Sequence, residues 1–549
     1  MTKFDAMAKF DSWMKKVEDK DLKKDLLSIS KDKTEIENRF YKDLEFGTGG
    51  MRGILGAGTN CMNIYTVMRA TQGLADYMKS IDAKSIAIGC DSRINSEIFA
   101  KCAAQIMAEN NFTVYLSDEI VPTPFISFLV RHYRCDMGIM ITASHNPAKY
   151  NGYKVSGSDG CQVTDAVSNL ITSFISKVEM FGKKVKPIEE YKTVIKVPKS
   201  VIDLYIDEVL KQSLNKPENI IVAYTPLNGA GYKFVPKIFS KIGLKDEDVI
   251  IVKEQGYPDG NFTTCPYPNP EKPEALKLGL EYAKKSGADI LIATDPDADR
   301  VGTAVLNKGE YKLISGNEMG ALLSNYILTY KKKLKTLPKK PVLIKTIVTT
   351  TLIDKIAKDF NAEVIDVLTG FKYIGEQVTI LEKAGEADRF IFGFEESYGY
   401  LCGTHVRDKD AQSASMLIVE MVSYYKKLGK TLIDVLTDLY KKYGVFKHKL
   451  SSIEFAGAKG SVKIKELMQK LRMSKISEIS GLKVLEKLDF LGETKFNLPK
   501  SNVLIYNLEN SAQFIVRPSG TEPLIKFYLT APSDEVFQKM EGFIKEFFI

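Results

Sequence analysis

Short apolar runs alternate with stretches of helical spacing through the first two-thirds of the chain. SIAIGCD (Ser85–Asp91) is a β-branched run that ends in a turn. SEIFAKCAAQIMAEN (Ser96–Asn110) then has helical spacing and predicts Ser96 as its N-cap. FTVYLS (Phe112–Ser117) and CDMGIMITASHN (Cys135–Asn146) supply further strands. This strand–helix–strand rhythm predicts an α/β fold with largely parallel sheets. The layout recurs in NIIVAYTPLNGAG (Asn219–Gly231), DVIIVKEQ and ADILIATDPDADR (Ala288–Arg300). It recurs again in PVLIKTIVTT (Pro341–Thr350), a helix near Leu352–Asp359, AEVIDVLTGFKYIG and RFIFGFEESYGY. The three sets share no strong sequence identity, but three related α/β units would produce this layout. NVLIYNLENSAQFIVRPSGTEPLIKFYLTAP differs: it reads as antiparallel strands, followed by a helix from Asp534, which predicts a smaller α+β part.

At 549 residues the chain is too long for one core and calls for three or four domains. Hydrophobic content of 44% and charged content of 27% are those of an ordinary globular protein. A net charge of +8, from 77 basic and 69 acidic residues, is mild at this length. It fits anionic small substrates as well as weak nucleic-acid contact, and neither nucleic acid nor membrane is expected as a partner. The densest basic run, KKKLKTLPKK (Lys331–Lys340), is expected to be a solvated loop. Seven scattered cysteines without a C-x-x-C pair suggest free thiols in a reducing compartment. The N-terminus lacks the apolar core of a signal peptide, and no apolar run reaches about 18 residues. A cytoplasmic location is expected.

Ligand loops in open α/β sheets lie beyond the C-terminal ends of strands, and each set ends in an unusual polar loop there. ASHNP places Ser144 beside His145, one of only four histidines. A Ser-His-Asp triad is not expected from them. Neighbouring side chains in extended chain point to opposite faces, and Thr142 and Asn146 stand where a G-x-S-x-G elbow needs glycine. TDPDADR sets Asp295, Asp297 and Asp299 at alternate positions, on one face if the chain is extended. Hard oxygen ligands without His or Cys suit Mg²⁺. RPSGTEP offers Arg517, Ser519 and Thr521 with the amides around Gly520, a donor-rich loop for phosphate. GTGGMRG contains Arg52 but lacks the Lys-Ser/Thr of a P-loop. In GFEESYGY, adjacent carboxylates cannot flank a glycosidic bond, so Glu395 and Ser397 are better suited to binding sugar hydroxyls. TGFKYIG adds Lys372. Together these loops point to phosphoryl transfer on a sugar.

The combination resembles the α-D-phosphohexomutase superfamily. TASHNP looks like its phosphoserine loop, DPDADR its metal loop, GFEESYGY its sugar loop and RPSGTEP its phosphate loop, in the family's order over nearly the whole chain. The resemblance implies four domains around a central cleft, three related α/β domains plus a smaller α+β C-terminal domain. Residues 1–205 would carry the phosphoserine loop, 206–318 the metal loop, 319–442 the sugar loop and 443–549 the phosphate loop. It implies phosphate on Ser144, with Ser144, Asp295, Asp297 and Asp299 binding Mg²⁺. Lys154 would be the general acid/base, its pKa lowered by burial and nearby positive charge. Lys372 would lie near the transferred phosphoryl group, Arg52 and His145 would stabilise charge there, and Arg300 would support the metal loop. Pro296 and Ala298 stand where the family often has glycine.

FGTGGMRG and GFEESYGY look most like the branch holding phosphoglucomutases, phosphopentomutases and sugar-bisphosphate synthases. The expected activity is interconversion of glucose 1-phosphate and glucose 6-phosphate through glucose 1,6-bisphosphate, with activity on mannose phosphates. Phosphomannomutase and phosphopentomutase are the strongest rivals, followed by a metal-dependent phosphatase and a non-catalytic sugar-phosphate sensor. Hexose phosphates are the expected partners, for a monomer or homodimer.

Overall fold

The computed structural model describes residues 3–47, 49–455, 460–492, 498–519 and 524–548. The chain forms two compact units. The first holds the chain up to Ile314 together with Gly375–Ala387 and Tyr398–Tyr424, and the second holds the remainder.

The first unit opens with three helices, α1 (Lys3–Lys16), α2 (Lys20–Ile29) and α3 (Lys33–Phe40). Asp19 and Asp32 cap α2 and α3 by accepting amide hydrogen bonds in their first turns. Phe10, Trp13, Leu26, Ile36 and Phe40 form the core of this layer. Asp25 Oδ2 accepts from Arg39 Nη1 (2.6 Å) and from the amide of Ala57 (2.8 Å), while Arg39 O accepts from the amide of Asn60 (2.9 Å). These bonds tie the helices to the loop after the first strand.

That strand, β1 (Gly50–Ile54), belongs to a six-stranded sheet with β2 (Ser85–Cys90), β3 (Thr113–Ile120), β4 (Met137–Ile141), β5 (Tyr150–Gly157) and β6 (Val194–Lys196). The order is β1-β5-β4-β2-β3-β6. β4, β2, β3 and β6 run parallel, whereas β1–β5 and β5–β4 are antiparallel. The sheet is therefore mixed. The chain returns directly from β4 to β5 through the ASHNP loop, and a short return of this kind allows only antiparallel pairing. Between β2 and β3 lies a helix, Ser96–Glu109. Ser96 is its first helical residue and not its cap. Asn95 precedes it at φ 65° without a side-chain capping bond, and the Ser96 hydroxyl donates to Asp91 Oδ1 at 2.8 Å.

A second mixed sheet follows: β7 (Val222–Thr225), β8 (Val249–Ile251), β9 (Ile290–Thr294), β10 (Val301–Asn307) and β11 (Glu310–Ile314), in the order β11-β10-β9-β7-β8. β9, β7 and β8 are parallel, and β10 turns back antiparallel on β9 through TDPDADR. Every residue of β9 is buried, as befits a strand covered on both faces.

In the second unit, β12 (Val342–Thr346) lies between β13 (Glu363–Val367) and β14 (Phe390–Glu395), all parallel. The helix Gly316–Leu334 starts at a Ser315–Glu318 capping box and takes in the first residues of the basic run. Lys331–Leu334 are thus helical, contrary to the expected loop, and Lys335 ends the helix at φ 60°. Cations on the last turn favour the helix C-terminus. The final sheet pairs Lys447–Glu454 with Leu524–Ala531, Leu524–Ala531 with Gln513–Pro518, Gln513–Pro518 with Leu504–Leu508, and Leu504–Leu508 with Leu482–Asp489, all antiparallel. Phe537, Met540, Ile544 and Phe548 of the helix Asp534–Phe548 complete its core. Three α/β layers and one α+β layer agree with the expected fold class. Among the described residues, no helix is long and apolar enough to cross a membrane.

Candidate active site

The fully buried β4 delivers Thr142–His145 to its C-terminal end. Ser144 sits at φ 54°, in the left-handed region. That conformation costs roughly 1–3 kcal/mol in a non-glycine residue and survives only where its surroundings fix it. Thr142 Oγ1 accepts from the Ser144 amide (2.8 Å) and donates to Asp91 Oδ2 (2.6 Å). The buried Arg93 donates to the carbonyls of Ser144 and Asn146, and to those of Pro147 (3.0 Å) and Tyr150 (3.1 Å). Arg93 also pairs with Asp91 at 3.3 Å. Burial draws the Arg93 pKa down and pushes the Asp91 pKa up, each opposed by the other's charge.

This backbone brings Ser144 Oγ within 3.1 Å of His145 Nδ1 and lets it donate to Asp295 Oδ2 at 3.2 Å. The expectation that adjacent residues could not meet assumed extended chain, and the positive φ removes that assumption. Burial of the His145 ring, with Arg300 and Arg52 nearby, holds its pKa well below the usual value, so the imidazole is neutral.

Beyond β9 the aspartates converge for a different reason than expected. The segment turns: the Ala298 amide donates to Asp295 O (2.9 Å), and Ala298 lies at φ 47°. Asp295, Asp297 and Asp299 are buried, each with a carboxylate oxygen within 4.8 Å of the others'. Asp295 Oδ1 accepts the amides of Asp299 and Arg300, both at 3.0 Å. Asp297 Oδ2 accepts from Thr123 Oγ1 (2.6 Å) and Lys154 Nζ (2.7 Å). Asp299 Oδ2 takes Lys154 Nζ (3.1 Å) and pairs with Lys409 Nζ (3.2 Å). Asp297 Oδ1 and Asp299 Oδ1 are buried without a hydrogen-bond partner. Burial, then the charges of Asp297 and Asp299, push the Asp295 carboxyl well above its usual range. Two orphaned anionic oxygens in an all-oxygen donor set fit a hard divalent cation.

Lys154, on β5, departs from the expected pKa. Burial acts to lower it, but the carboxylates of Asp297 and Asp299 outweigh burial and raise it. The same contact lowers the Asp297 pKa, again against burial. Arg52 faces Gly152 across the β1–β5 pair, and its Nη1 donates to Asn146 Oδ1 (3.1 Å). Arg300 bonds Glu271 through Nη1 and lies 3.9 Å from Asp299 Oδ1 through Nε.

The other predicted residues lie in the second unit. Lys372 is buried on the first turn of the helix Phe371–Lys383, not on a loop, with its Nζ 5.0 Å from the Tyr373 ring centre. Glu395 ends β14 and is buried, and Ser397 follows in a turn. Arg517 Nη1 donates to Tyr528 Oη at 3.5 Å, and burial with the charges of Glu396 and Glu395 raises the Tyr528 pKa. The Ser519 amide donates to Leu524 O (2.8 Å). Gly520 and Thr521 lie outside the described residues.

Three residues of the first constellation escaped the sequence reading. Arg93 follows β2 directly, the position at which strand ends carry ligand loops, so the rule applied to the other loops points to it. Thr123 opens a helix, and Lys409 lies late in the loop between the strand Gly399–Leu401 and the helix Ala411–Lys427, so neither carries a local signal.

Family models described as phosphoglucomutase/phosphomannomutase alpha/beta/alpha domains I, II and III match residues 43–181, 203–309 and 315–443. The C-terminal domain model matches 472–546. The phosphoglucomutase of Staphylococcus aureus (strain USA300) is 38% identical over 531 residues, covering 93% of this chain and 94% of its own length. That of Staphylococcus haemolyticus (strain JCSC1435) is 35% identical over 553 residues, covering 96% of this chain and 97% of its own. Among solved structures, a phosphoglucomutase/phosphomannomutase family protein from Burkholderia thailandensis shares the fold at TM-score 0.70 and 16% identity, covering 91% of this chain and 96% of its own. With all four parts matched in order and the relatives aligned almost end to end, the chain belongs to the phosphoglucomutase/phosphomannomutase family of mutases.

Proposed function

We propose that the protein interconverts glucose 1-phosphate and glucose 6-phosphate through a phosphoryl group carried on Ser144. The observation that supports this most directly is the fixed Ser144 hydroxyl, bonded to Asp295 in a nest of three buried carboxylates. Asp295, Asp297 and Asp299, with an oxygen of phosphorylated Ser144, would hold Mg²⁺. When bound, the ion neutralises charge that develops on the moving phosphoryl group.

Starting from glucose 1-phosphate, the bond between Ser144 Oγ and phosphorus breaks as the sugar O6 bonds to phosphorus. The O6 proton passes by way of Lys154 to the leaving Ser144 Oγ, and glucose 1,6-bisphosphate results. After the bisphosphate reorients, Ser144 Oγ bonds to the 1-phosphorus as the sugar O1–P bond breaks, the Oγ proton passes by way of Lys154 to O1, and glucose 6-phosphate departs. Lys154 Nζ lies 2.7 Å from Asp297 Oδ2 and 3.1 Å from Asp299 Oδ2, beside the proposed cation, and serves as the acid/base of both half-reactions. Neutral His145 supports Oγ from Nδ1. Arg52 and Lys372 steady the phosphoryl oxygens, and Arg300 braces the metal loop. Glu395 and Ser397 read ring hydroxyls. Arg517, Ser519, Gly520 and Thr521 hold the distal phosphate.

Glucose and mannose differ only at the 2-hydroxyl. One hydrogen bond to a charged group contributes about 1.5–3 kcal/mol, so glucose should lead mannose by roughly 10–100-fold. The test is kcat/KM on glucose, mannose and ribose 1-phosphates with a hexose bisphosphate present. A preference for ribose 1-phosphate would reassign the protein as a phosphopentomutase.

A further inference from the structure

The loop TPLNGAG (Thr225–Gly231), between β7 and the helix Gly231–Lys241, takes no part in the chemistry above. It nonetheless lies directly against the aspartate turn. The Ala230 amide donates to Pro296 O at 2.7 Å. A Cβ built on Gly229 would lie 2.6 Å from Pro296 O and 2.8 Å from Pro296 C. A Cβ on Gly231 would meet Thr294 Oγ1 at 2.6 Å and Ala298 Cβ at 3.5 Å. Real Cβ atoms do not approach backbone this closely, so any side chain at Gly229 must displace Pro296.

The supporting loop itself is firmly held. Leu227 and Asn228 sit at φ 46° and 58°, a conformation that L residues rarely adopt. Thr225 Oγ1 accepts from the Leu227 amide (3.0 Å) and donates to Gln255 (2.7 Å). Asn228 Nδ2 donates to Glu254 O (3.2 Å) and Tyr257 O (2.8 Å). On the other side, the Thr123 amide donates to Asp297 O at 2.9 Å. The turn between Asp295 and Asp299 is thus gripped through its backbone on both sides.

We infer that Gly229 is a positioning residue for the cation site: its missing side chain lets the TPLNGAG backbone press on Pro296 and sets the spacing of Asp295 and Asp297. The inference rests on the reading of the three aspartates as a divalent-cation site. It assigns to Gly229 a role exerted on the cation and not on the sugar.

The experiment is Mn²⁺ titration by electron paramagnetic resonance on wild type, Gly229→Ala, Pro296→Gly and the double variant, with thermal melts in chelator. Gly229→Ala should fold and bind Mn²⁺ at least about tenfold more weakly, a loss of roughly 1.4 kcal/mol or more. In the Pro296→Gly background, where the turn can yield, the same change should cost less. A folded Gly229→Ala protein that binds Mn²⁺ within about twofold of wild type would overturn the inference alone. If Gly229→Ala does not fold, rescue by Pro296→Gly supports the inference, and failure of that rescue overturns it. A wild-type protein that binds no Mn²⁺ would remove the cation reading and this inference with it.

Discussion

The two loops that meet at Ser144 are held by opposite means. The ASHNP loop is fixed by a side chain: Arg93 reaches four carbonyls and pairs with a buried carboxylate. The aspartate turn is fixed largely by backbone, with Ala230 on one side and Thr123 on the other. Both contain a non-glycine residue at positive φ, Ser144 at 54° and Ala298 at 47°. The difference teaches where each loop is vulnerable. A charge-held loop fails when the charge is removed, and a backbone-held turn fails when volume is added.

The largest effect should come from Ser144→Ala, which removes the proposed phosphate carrier while leaving both modes of support intact. Mutase activity should fall to background, and intact-mass measurement should show loss of a phosphate-sized increment. An equally phosphorylated and active variant would sink the mechanism and leave the comparison without functional meaning.

Next is Arg93→Met, which keeps volume and removes charge. It strands Asp91, and breaking a buried pair costs about 3–5 kcal/mol. Urea melts should show that loss, and kcat should fall because the Ser144 carbonyl is released. Stability within about 1 kcal/mol of wild type would mean that Arg93 does not hold the loop.

The smallest effect should come from Thr123→Val. Asp297 Oδ2 loses one donor but keeps Lys154, and the Thr123 amide still grips Asp297 O. A hydrogen bond to a charged group contributes about 1.5–3 kcal/mol, so the cost should stay below that of Arg93→Met. A larger cost, measured in the same melts, would show that side chains and not backbone carry the aspartate turn.

Local chemistry made much of this molecule legible. The apolar run of ADILIATDPDADR (Ala288–Arg300) forms the strand Ile290–Thr294 ahead of its polar loop, and a helix spans Leu352–Asp359 where the layout predicts one. The aspartates were expected to converge, but through extension, whereas a turn at Ala298 brings them together. Whether Ser144 and His145 can meet depends on a single φ angle, which residue type does not reveal. Lys409 is more than a hundred residues from Asp299, so their pairing exists only in the fold. The pairs of Lys154 with Asp297 and Asp299 likewise join segments more than a hundred residues apart, so they too exist only in the fold.

The family match starts at residue 43, just after α3 ends at Phe40. Homology and mechanics therefore place the edge of this domain differently. Tyr65, inside the matched region, accepts the amides of Glu18 and Asp19 and packs its ring against Trp13 at 5.8 Å. Asp25 likewise holds the Ala57 amide, three residues beyond the strand that presents Arg52. A truncation made at the start of that match would remove the buttress of the strand that presents Arg52 along with a seemingly accessory layer.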